Sequence, residues 1–459
     1  MRENKALRIF LTVIIAVGIA AASFLGGFFV SKLTRDKQAS SFEWALNIIR
    51  ENYYEDIPDD VLLNASLKGL ADECLDRYST YYTAEEYKSV VEASKGNMSG
   101  VGISYMYVPS KESKPSAAHP TGIGGVVIEK VVGNSPAYLS GFESGKKGLR
   151  AGEIVTALKD GNGTVQITSS SVFSDFIDGK ETGEEFTMIT DRGEHVVSKQ
   201  NYEASYCTMI TSTDEWSVVY NNGVRSIVST GDGYDFLPEK TACLRLDQFY
   251  ANAAYEMASL IEKFNAEGYT SLILDLRGNG GGFVNVMCDI SGIFTGQLEN
   301  PYKIAMHAVY KGGGIEGYSV SNRFSGNQLL KKGTKLSVLA DNGTASASEA
   351  LIGVLIDNGV IDYSDIYLSD FSQNYLNLSG TAAKNCKSYG KGIMQTTFVN
   401  QSTGEALKLT TAKIYWPKGE TCIHDVGLTA ADGCRTVKTD WDVMYGDPQL
   451  KLAVEMICG

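Results

Sequence analysis

Apolar positions change their spacing along this chain, and each change marks a different kind of structure. Ile9 to Val30 is an apolar run without a charged residue, long enough to cross a bilayer as one helix. From Phe42 the spacing becomes helical: Phe42, Ala45, Leu46, Ile49 and Tyr53 form one stripe. Val61 to Leu75 carries another, opened by Asp59 or Asp60 as caps, and a third helix is predicted from Ala84 to Ala93. Beyond residue 97 the period shortens. Gly100 to Met106, Gly124 to Val132, Glu153 to Ala157 and Glu185 to Ile189 read as strands, with one helix over Ser171 to Ile177. Pro109 to Gly122 is polar and reads as a loop. From Cys243 strands and helices alternate: Cys243 to Leu246, Ala253 to Asn265, Ser271 to Leu276, Phe283 to Ile293, Lys335 to Ala340 and Ala350 to Val360. The expected chain is therefore multidomain. A helical module and a small α+β module precede an α/β domain with a largely parallel sheet.

Charge and composition narrow the partners. The net charge of −13 over 459 residues argues against nucleic acid. Arg2, Lys5 and Arg8 precede the apolar run, and Lys32, Arg35 and Lys37 follow it. Ala20-Ala21-Ala22-Ser23 offers a signal-peptide cleavage site, but the run continues past it, and its length favours an uncleaved anchor. Everything from about Ser40 onward then lies on one side of the membrane. The eight cysteines are spread without a CxxC pair, and there are four histidines, so neither a zinc site nor another metal site is expected. Cys422 and Cys434 are spaced for a local disulfide in an oxidising compartment. Cys243 and Cys288 sit in apolar runs as core residues.

Candidate chemistry centres on Asp341-Asn342-Gly343-Thr344-Ala345-Ser346-Ala347-Ser348-Glu349-Ala350, a small-residue turn from strand to helix. A serine at a helix start is exposed beside free N–H groups that stabilise negative charge, which suits a nucleophile. Ser346 or Ser348 as a plain helix cap, with Glu349 in the first turn, is the other reading. A second string, Asp275-Leu276-Arg277-Gly278-Asn279-Gly280-Gly281-Gly282, lets backbone approach a ligand closely. It lacks the ending of a phosphate-binding loop and the helix context of a dinucleotide site, so no cofactor is expected. Gly-x-Ser-x-Gly is absent around Ser346, and His307 and His424, the two histidines of this region, have no supporting context. A lysine serves as base where burial disfavours its ammonium form, and Gly390-Lys391-Gly392 offers one; such a tripeptide is also a common surface turn.

Taken in order, these strings resemble a family. Asp275-Leu276-Arg277-x-Asn279-x-Gly281-Gly282, Ser346-Ala347-Ser348-Glu349, Gly390-Lys391-Gly392-x-x-Gln395 and Leu409-Thr410-Thr411-Ala412-Lys413-Ile414-Tyr415-Trp416-Pro417 resemble the carboxyl-terminal processing peptidases, membrane-anchored or exported bacterial serine proteases. Gly100-Val101-Gly102-Ile103, Ser135-Pro136-Ala137 and Gly148 to Ile154 are similar to a PDZ domain, with an insertion over Tyr138 to Lys147. The resemblance implies an anchor and tail over 1–37, a helical module over 38–96 that is a candidate homodimer contact, a PDZ-like domain over 97–203 and a protease domain of the ClpP/crotonase-like type over 204–459. It implies Ser346 as nucleophile, Lys391 as general base and Gln395 as the residue that positions it. Ala347 with Gly281 or Gly282 would form the oxyanion hole. Asp357 would support structure, since eleven residues along a helix carry it about 16 Å from Ser346. A direct Lys391–Gln395 contact needs a bend, which Gly392 permits. Gly100, Val101, Gly102 and Ile103 would hold the C-terminus of a protein substrate. The single-pass topology implied places the catalytic domain outside the cytoplasm. Three features depart from the family pattern: Gly280 stands where it has proline, the stretch Ser364 to Ser388 lengthens the path to Lys391, and Ala431-Asp432 replaces Pro-Asp. A catalytically silent peptide-binding protein, or a hydrolase using His307 or His424, are the rival expectations.

Overall fold

A computed structural model describes residues 41–458, apart from 109–123, 141–147, 370–385, 438–446 and positions 222, 230, 232 and 300. The run Ile9–Val30, the loop Pro109–Gly122 and most of the Tyr138–Lys147 insertion lie outside the described residues. Among the described residues no helix is long and apolar enough to cross a membrane.

The chain divides into two units, residues 1–83 and 84–459. In the first, α1 spans 41–52, α2 spans Asp59–Cys74, and a short strand, β1, spans Thr80–Tyr82. Pro58 is the N-cap of α2, and Asp59 and Asp60 fall in its first turn, where they face the positive end of the helix dipole. Tyr81 donates to Asn64 Oδ1 at 3.0 Å and ties β1 to α2. Phe42 and Ile49 of the apolar stripe on α1 are exposed, as is Tyr53 just past its end, while Ala45 and Leu46 are half-buried.

The second unit opens with α3 (Ala84–Ser94), the helix read from sequence as part of the preceding module. There follow β2 (Asn97–Gly100), β3 (Ile103–Val108), β4 (Gly125–Val131), α4 (Pro136–Leu139), β5 (Ile154–Asp160), β6 (Gly163–Gln166), α5 (Ser170–Asp178), β7 (Glu185–Thr190), β8 (Glu194–Ser198) and β9 (Gln200–Glu203). An antiparallel sheet runs β3-β4-β5-β7-β8, with β6 beside β5, and β2 pairs with β9. Val126, Ile128, Leu149, Val155, Leu158, Phe173 and Met188 fill its core. Strand β6 escapes the apolar pattern because its four residues are all exposed. The helix after Ser135-Pro136-Ala137 is a single turn, capped by Ser135 Oγ at the Tyr138 amide.

The remaining elements are β10 (Cys207–Ile210), β11 (Glu215–Asn221), β12 (Val224–Ser229), β13 (Thr241–Leu246), α6 (Ala253–Ala266), β14 (Ser271–Asp275), α7 (Val284–Thr295), β15 (Ile304–Tyr310), β16 (Ile315–Ser319), β17 (Lys335–Ala340), α8 (Ala347–Asp357), β18 (Ile366–Ser369), β19 (Ile393–Val399), β20 (Ala406–Tyr415), β21 (Arg435–Val437) and α9 (Pro448–Cys458). The main sheet has the order β12-β11-β10-β13-β14-β17-β18-β21. From β13 to β21 it is parallel; β10 to β12 extend it antiparallel, so the sheet is mixed. The pleat sends alternate side chains to opposite faces. Leu272, Leu274, Val338 and Ala340 join α6, α7 and α8 in one core, while Ile273 and Leu339 pack with Leu450, Ala453 and Ile457 of α9 on the other face. Part of the stretch read as irregular, Ser364–Ser388, is the fully buried strand β18; Ile366 to Leu368 is too short a run to register as a period. An antiparallel ladder of β16, β15, β20 and β19 completes the described strands of this unit. All eight cysteines are free thiols, Cys422 and Cys434 among them.

Candidate active site

Strands β14 and β17 run parallel, so the loops after them leave the same edge of the sheet, where α/β proteins place their sites. The β17 loop turns sharply into α8, and Ser346 is the residue at the turn. Its φ of 59° and ψ of −115° lie where a side chain is strained and glycine is favoured. The backbone shape is that of a strained nucleophile elbow, reached without the Gly-x-Ser-x-Gly string. Space comes instead from the neighbouring loop: a Cβ on Gly281 would lie 2.8 Å from Ser346 Cβ and 2.9 Å from the Ala347 nitrogen. Helix α8 begins at Ala347, three residues earlier than its apolar period indicates, because Ser348 and Glu349 are polar yet buried.

Those buried polar groups hold the loops together. Asp341 Oδ1 accepts from the Gly278 and Gly343 amides, each at 2.9 Å, and Thr344 Oγ1 donates to the Leu276 carbonyl at 2.8 Å. The Asn279 carbonyl accepts from the Ala345 amide at 3.0 Å and from Ser348 Oγ at 2.9 Å. Asn279 Oδ1 takes the Gly281 amide at 2.9 Å. That bond uses up the Gly281 N–H; the Gly282 N–H, one residue on, makes no hydrogen bond among the described residues. Of the two glycines read as oxyanion donors, Gly281 is the one that packs against Ala347, the first residue of α8, and Gly282, beside Phe249, is the one whose N–H is available.

Glu349 joins this pair of loops to a third. It is fully buried, and its four acceptor positions are filled. Oε2 takes the Ser346 amide at 3.1 Å and the Lys391 amide at 2.9 Å; Oε1 takes the Gly390 amide at 2.8 Å and Ser388 Oγ at 2.5 Å. Ser346 and Glu349 thus stand in capping-box relation, the Glu349 carboxylate on the Ser346 amide and the Ser346 side chain on the Glu349 amide. Burial pushes the Glu349 carboxyl up, and its hydrogen bonds oppose that shift. One carboxylate therefore fixes the backbone of Ser346 and of Lys391 together, and the Tyr389 amide adds a bond to the Thr344 carbonyl at 3.0 Å. The long path after β18 ends with Lys391 beside the serine turn.

The other expected residues fall as follows. Gln395 donates to Thr410 Oγ1 across the β19–β20 ladder at 3.0 Å, where the register shifts between Met394 and Gln395 and leaves Thr411 of β20 as the extra residue. Asp357, at the far end of α8, accepts from the Lys418 amide at 2.9 Å and fixes the turn after β20. His307 bonds the Pro417 carbonyl at 3.1 Å, and His424 Nε2 lies 3.5 Å from Asp425; neither histidine bonds Ser346. Gly100 ends β2, Val101 and Gly102 form the turn and Ile103 opens β3, with Gly102 pressed against Ser135 and the Tyr202 hydroxyl. Asn279, Asp341, Thr344 and Ser388 went unassigned in the sequence, and Glu349 was read only as a first-turn residue. Their signal was slight: polar residues in short loops look solvated until the loops are stacked.

A model of peptidase family S41 matches residues 240–362, a span that holds Gly281, Gly282, Ser346, Ala347 and Asp357 and ends before Lys391. A probable CtpA-like serine protease of Staphylococcus haemolyticus is 27% identical over 419 residues, covering 91% of this chain and 69% of that protein. Another, from Staphylococcus aureus strain MSSA476, is 25% identical over 406 residues, covering 87% and 66%. The chain thus spans about two thirds of the length of these relatives. A putative S41 protease from Bacteroides fragilis shares the fold, with a TM-score of 0.54 at 13% identity, covering 91% of this chain and 97% of that one. The family model and the protease relatives define the class, a serine peptidase. Within that class, these matches support the carboxyl-terminal processing peptidase family as the one the chain is similar to.

Proposed function

We propose that the protein is an endopeptidase that cleaves protein substrates near their C-termini, with Ser346 as nucleophile and Lys391 as general base. The observation that carries this reading is the Glu349 carboxylate, which holds the amides of both residues against one strained turn. Neutral Lys391 Nζ takes the Ser346 Oγ proton as Oγ adds to the peptide carbonyl carbon. The carbonyl π pair moves onto oxygen, and that oxyanion accepts from the Ala347 and Gly282 N–H groups. Collapse breaks the C–N bond, and the lysine proton goes to the leaving amine. Water, deprotonated by the same lysine, then releases the acyl group from Ser346.

In this proposal residues 97–203 act as a PDZ-like reader. The Gly100–Ile103 segment offers backbone N–H groups to a terminal carboxylate, and the substrate adds a strand along β3, an edge of its sheet. Ile9–Val30 anchors the chain with its catalytic part outside the cytoplasm, and the exposed apolar residues of the helical module support pairing of two copies. The test is cleavage of a peptide ending in an apolar residue. Ser346→Ala and Lys391→Ala are each expected to lose at least about 10³-fold in kcat while keeping the circular dichroism of the parent. Substantial cleavage by either folded variant overturns the pair.

A further inference from the structure

The first turn of α9 sits on the two strand ends that feed the site. Arg277 Nη1 and Nη2 donate to Asp447 Oδ1 and Oδ2, each at 2.8 Å. The same guanidinium donates through Nε to Asp275 Oδ1 at 2.9 Å and through Nη2 to Asp275 Oδ2 at 2.7 Å. Burial alone would raise the Asp275 carboxyl, but Arg277 outweighs it and holds it below the usual range. Asp447 Oδ1 also takes the Leu450 amide at 3.0 Å and so caps α9. Two residues on, buried Gln449 spends both hydrogens of its amide: Nε2 donates to the Ala340 carbonyl at 2.9 Å and to the Tyr367 carbonyl at 2.7 Å. Ala340 is the last residue of β17, directly before the turn that carries Ser346. Arg277 directly precedes Gly278, where the glycine loop starts.

Adhesion of α9 does not need this polar end. Leu450, Ala453, Val454 and Ile457 already bury its apolar face against Ile273, Leu339 and Tyr367. A partly buried ion pair such as Arg277–Asp447 adds little stability over apolar residues of the same size, but it fixes direction. We infer that α9 is a positioning element for the active site: Asp447, acting through Arg277, sets the Gly278–Gly282 loop, and Gln449, acting through the Ala340 carbonyl, sets the Ser346 turn. The inference rests on the proposed roles of Ser346, Ala347 and Gly282, and neither Asp447 nor Gln449 touches substrate.

The experiment uses the full chain with Asp447→Asn, Asp447→Glu and Gln449→Met, beside Ser346→Ala. Three quantities are read: peptide hydrolysis, affinity for a substrate-like peptide aldehyde that adds to the serine as a tetrahedral adduct, and affinity for the cleaved product peptide. Asp447→Asn and Gln449→Met are expected to lower kcat by roughly tenfold or more with KM within about twofold. Aldehyde affinity should fall by the same factor, product affinity should hold, and Asp447→Glu should recover part of the loss. Should Asp447→Asn not fold, Gln449→Met and Asp447→Glu carry the same comparison. Parent kcat in the folded variants, or equal losses of aldehyde and product affinity, overturns the inference. Hydrolysis that survives in Ser346→Ala instead overturns the nucleophile assignment, and the inference with it.

Discussion

Of the three glycines after Asn279, position 280 is open. Nothing lies within 4 Å of a Cβ built there, and its φ is outside the left-handed region. The residue that departs from the family pattern is therefore not required to be glycine. Gly280→Ala should keep activity and raise stability by about 0.4–1 kcal/mol through the unfolded chain, read as a higher Tm. Gly281 is the opposite case. Its φ is 100° and an added methyl group would meet Ser346 and Ala347, so Gly281→Ala should lose most of kcat in a peptide assay. Glu349→Gln puts an amide N–H₂ against groups that already donate. It should cost roughly 1–3 kcal/mol and reduce kcat more than KM rises; a variant with parent kinetics would remove Glu349 from the account. At this scale the sequence displayed Ser346, Lys391 and the glycines, because small residues and turns announce themselves. It hid Glu349, Asn279 and Asp341, whose importance comes from burial between loops far apart in the chain.

Helix α8 illustrates what was legible in an element. Its apolar period was clear and its start was not, because Ala347, Ser348 and Glu349 are buried without being a hydrophobic run. Its far side is packed by Trp416 across Gly353, where a Cβ would fall 2.4 Å from the indole ring. Trp416 is 2% exposed and has little room to retreat. Gly353→Ala is expected to destabilise by about 1–3 kcal/mol, measured by urea denaturation, since overpacking displaces the ring or the helix. The strand–helix alternation from β13 to α8 was legible because parallel strands covered on both faces are continuous apolar runs. Strands β10 to β12 and β18 were not assigned, being short or half polar.

Across the whole molecule, the passage from the six-stranded module into the main sheet runs through Ser205, Tyr206 and Cys207. All three are held by one carboxylate from α6. Glu256 Oε2 accepts from Ser205 Oγ at 3.2 Å and from the Tyr206 and Cys207 amides at 2.7 and 2.9 Å, while Oε1 takes the Tyr220 hydroxyl at 2.6 Å. Burial pushes this carboxyl up to about 7 from its usual 4.5, against the pull of its hydrogen bonds. Between those values the folded chain holds more proton than the unfolded chain, so this group's contribution to stability falls as pH rises from about 4.5 to about 7 and is flat above. Over that window the loss is roughly 3 kcal/mol. Glu256→Gln should flatten that part of the stability–pH profile; an unchanged slope would show that Glu256 does not titrate there. Nothing in the sequence distinguishes Glu256 from a surface glutamate, since it sits within a helical period that tolerates polar residues on one side.

The strained backbone at Ser346 also bears on how an inactive form should be made for capturing complexes. Alanine deletes the hydroxyl but keeps a Cβ at a φ of 59°, whereas glycine deletes the hydroxyl and releases the strain. Ser346→Gly should therefore melt above Ser346→Ala, by about 1 kcal/mol after glycine's larger unfolded entropy is subtracted. Comparing the two melting curves checks this, and the more stable variant is the better one for holding an uncut substrate long enough to crystallise.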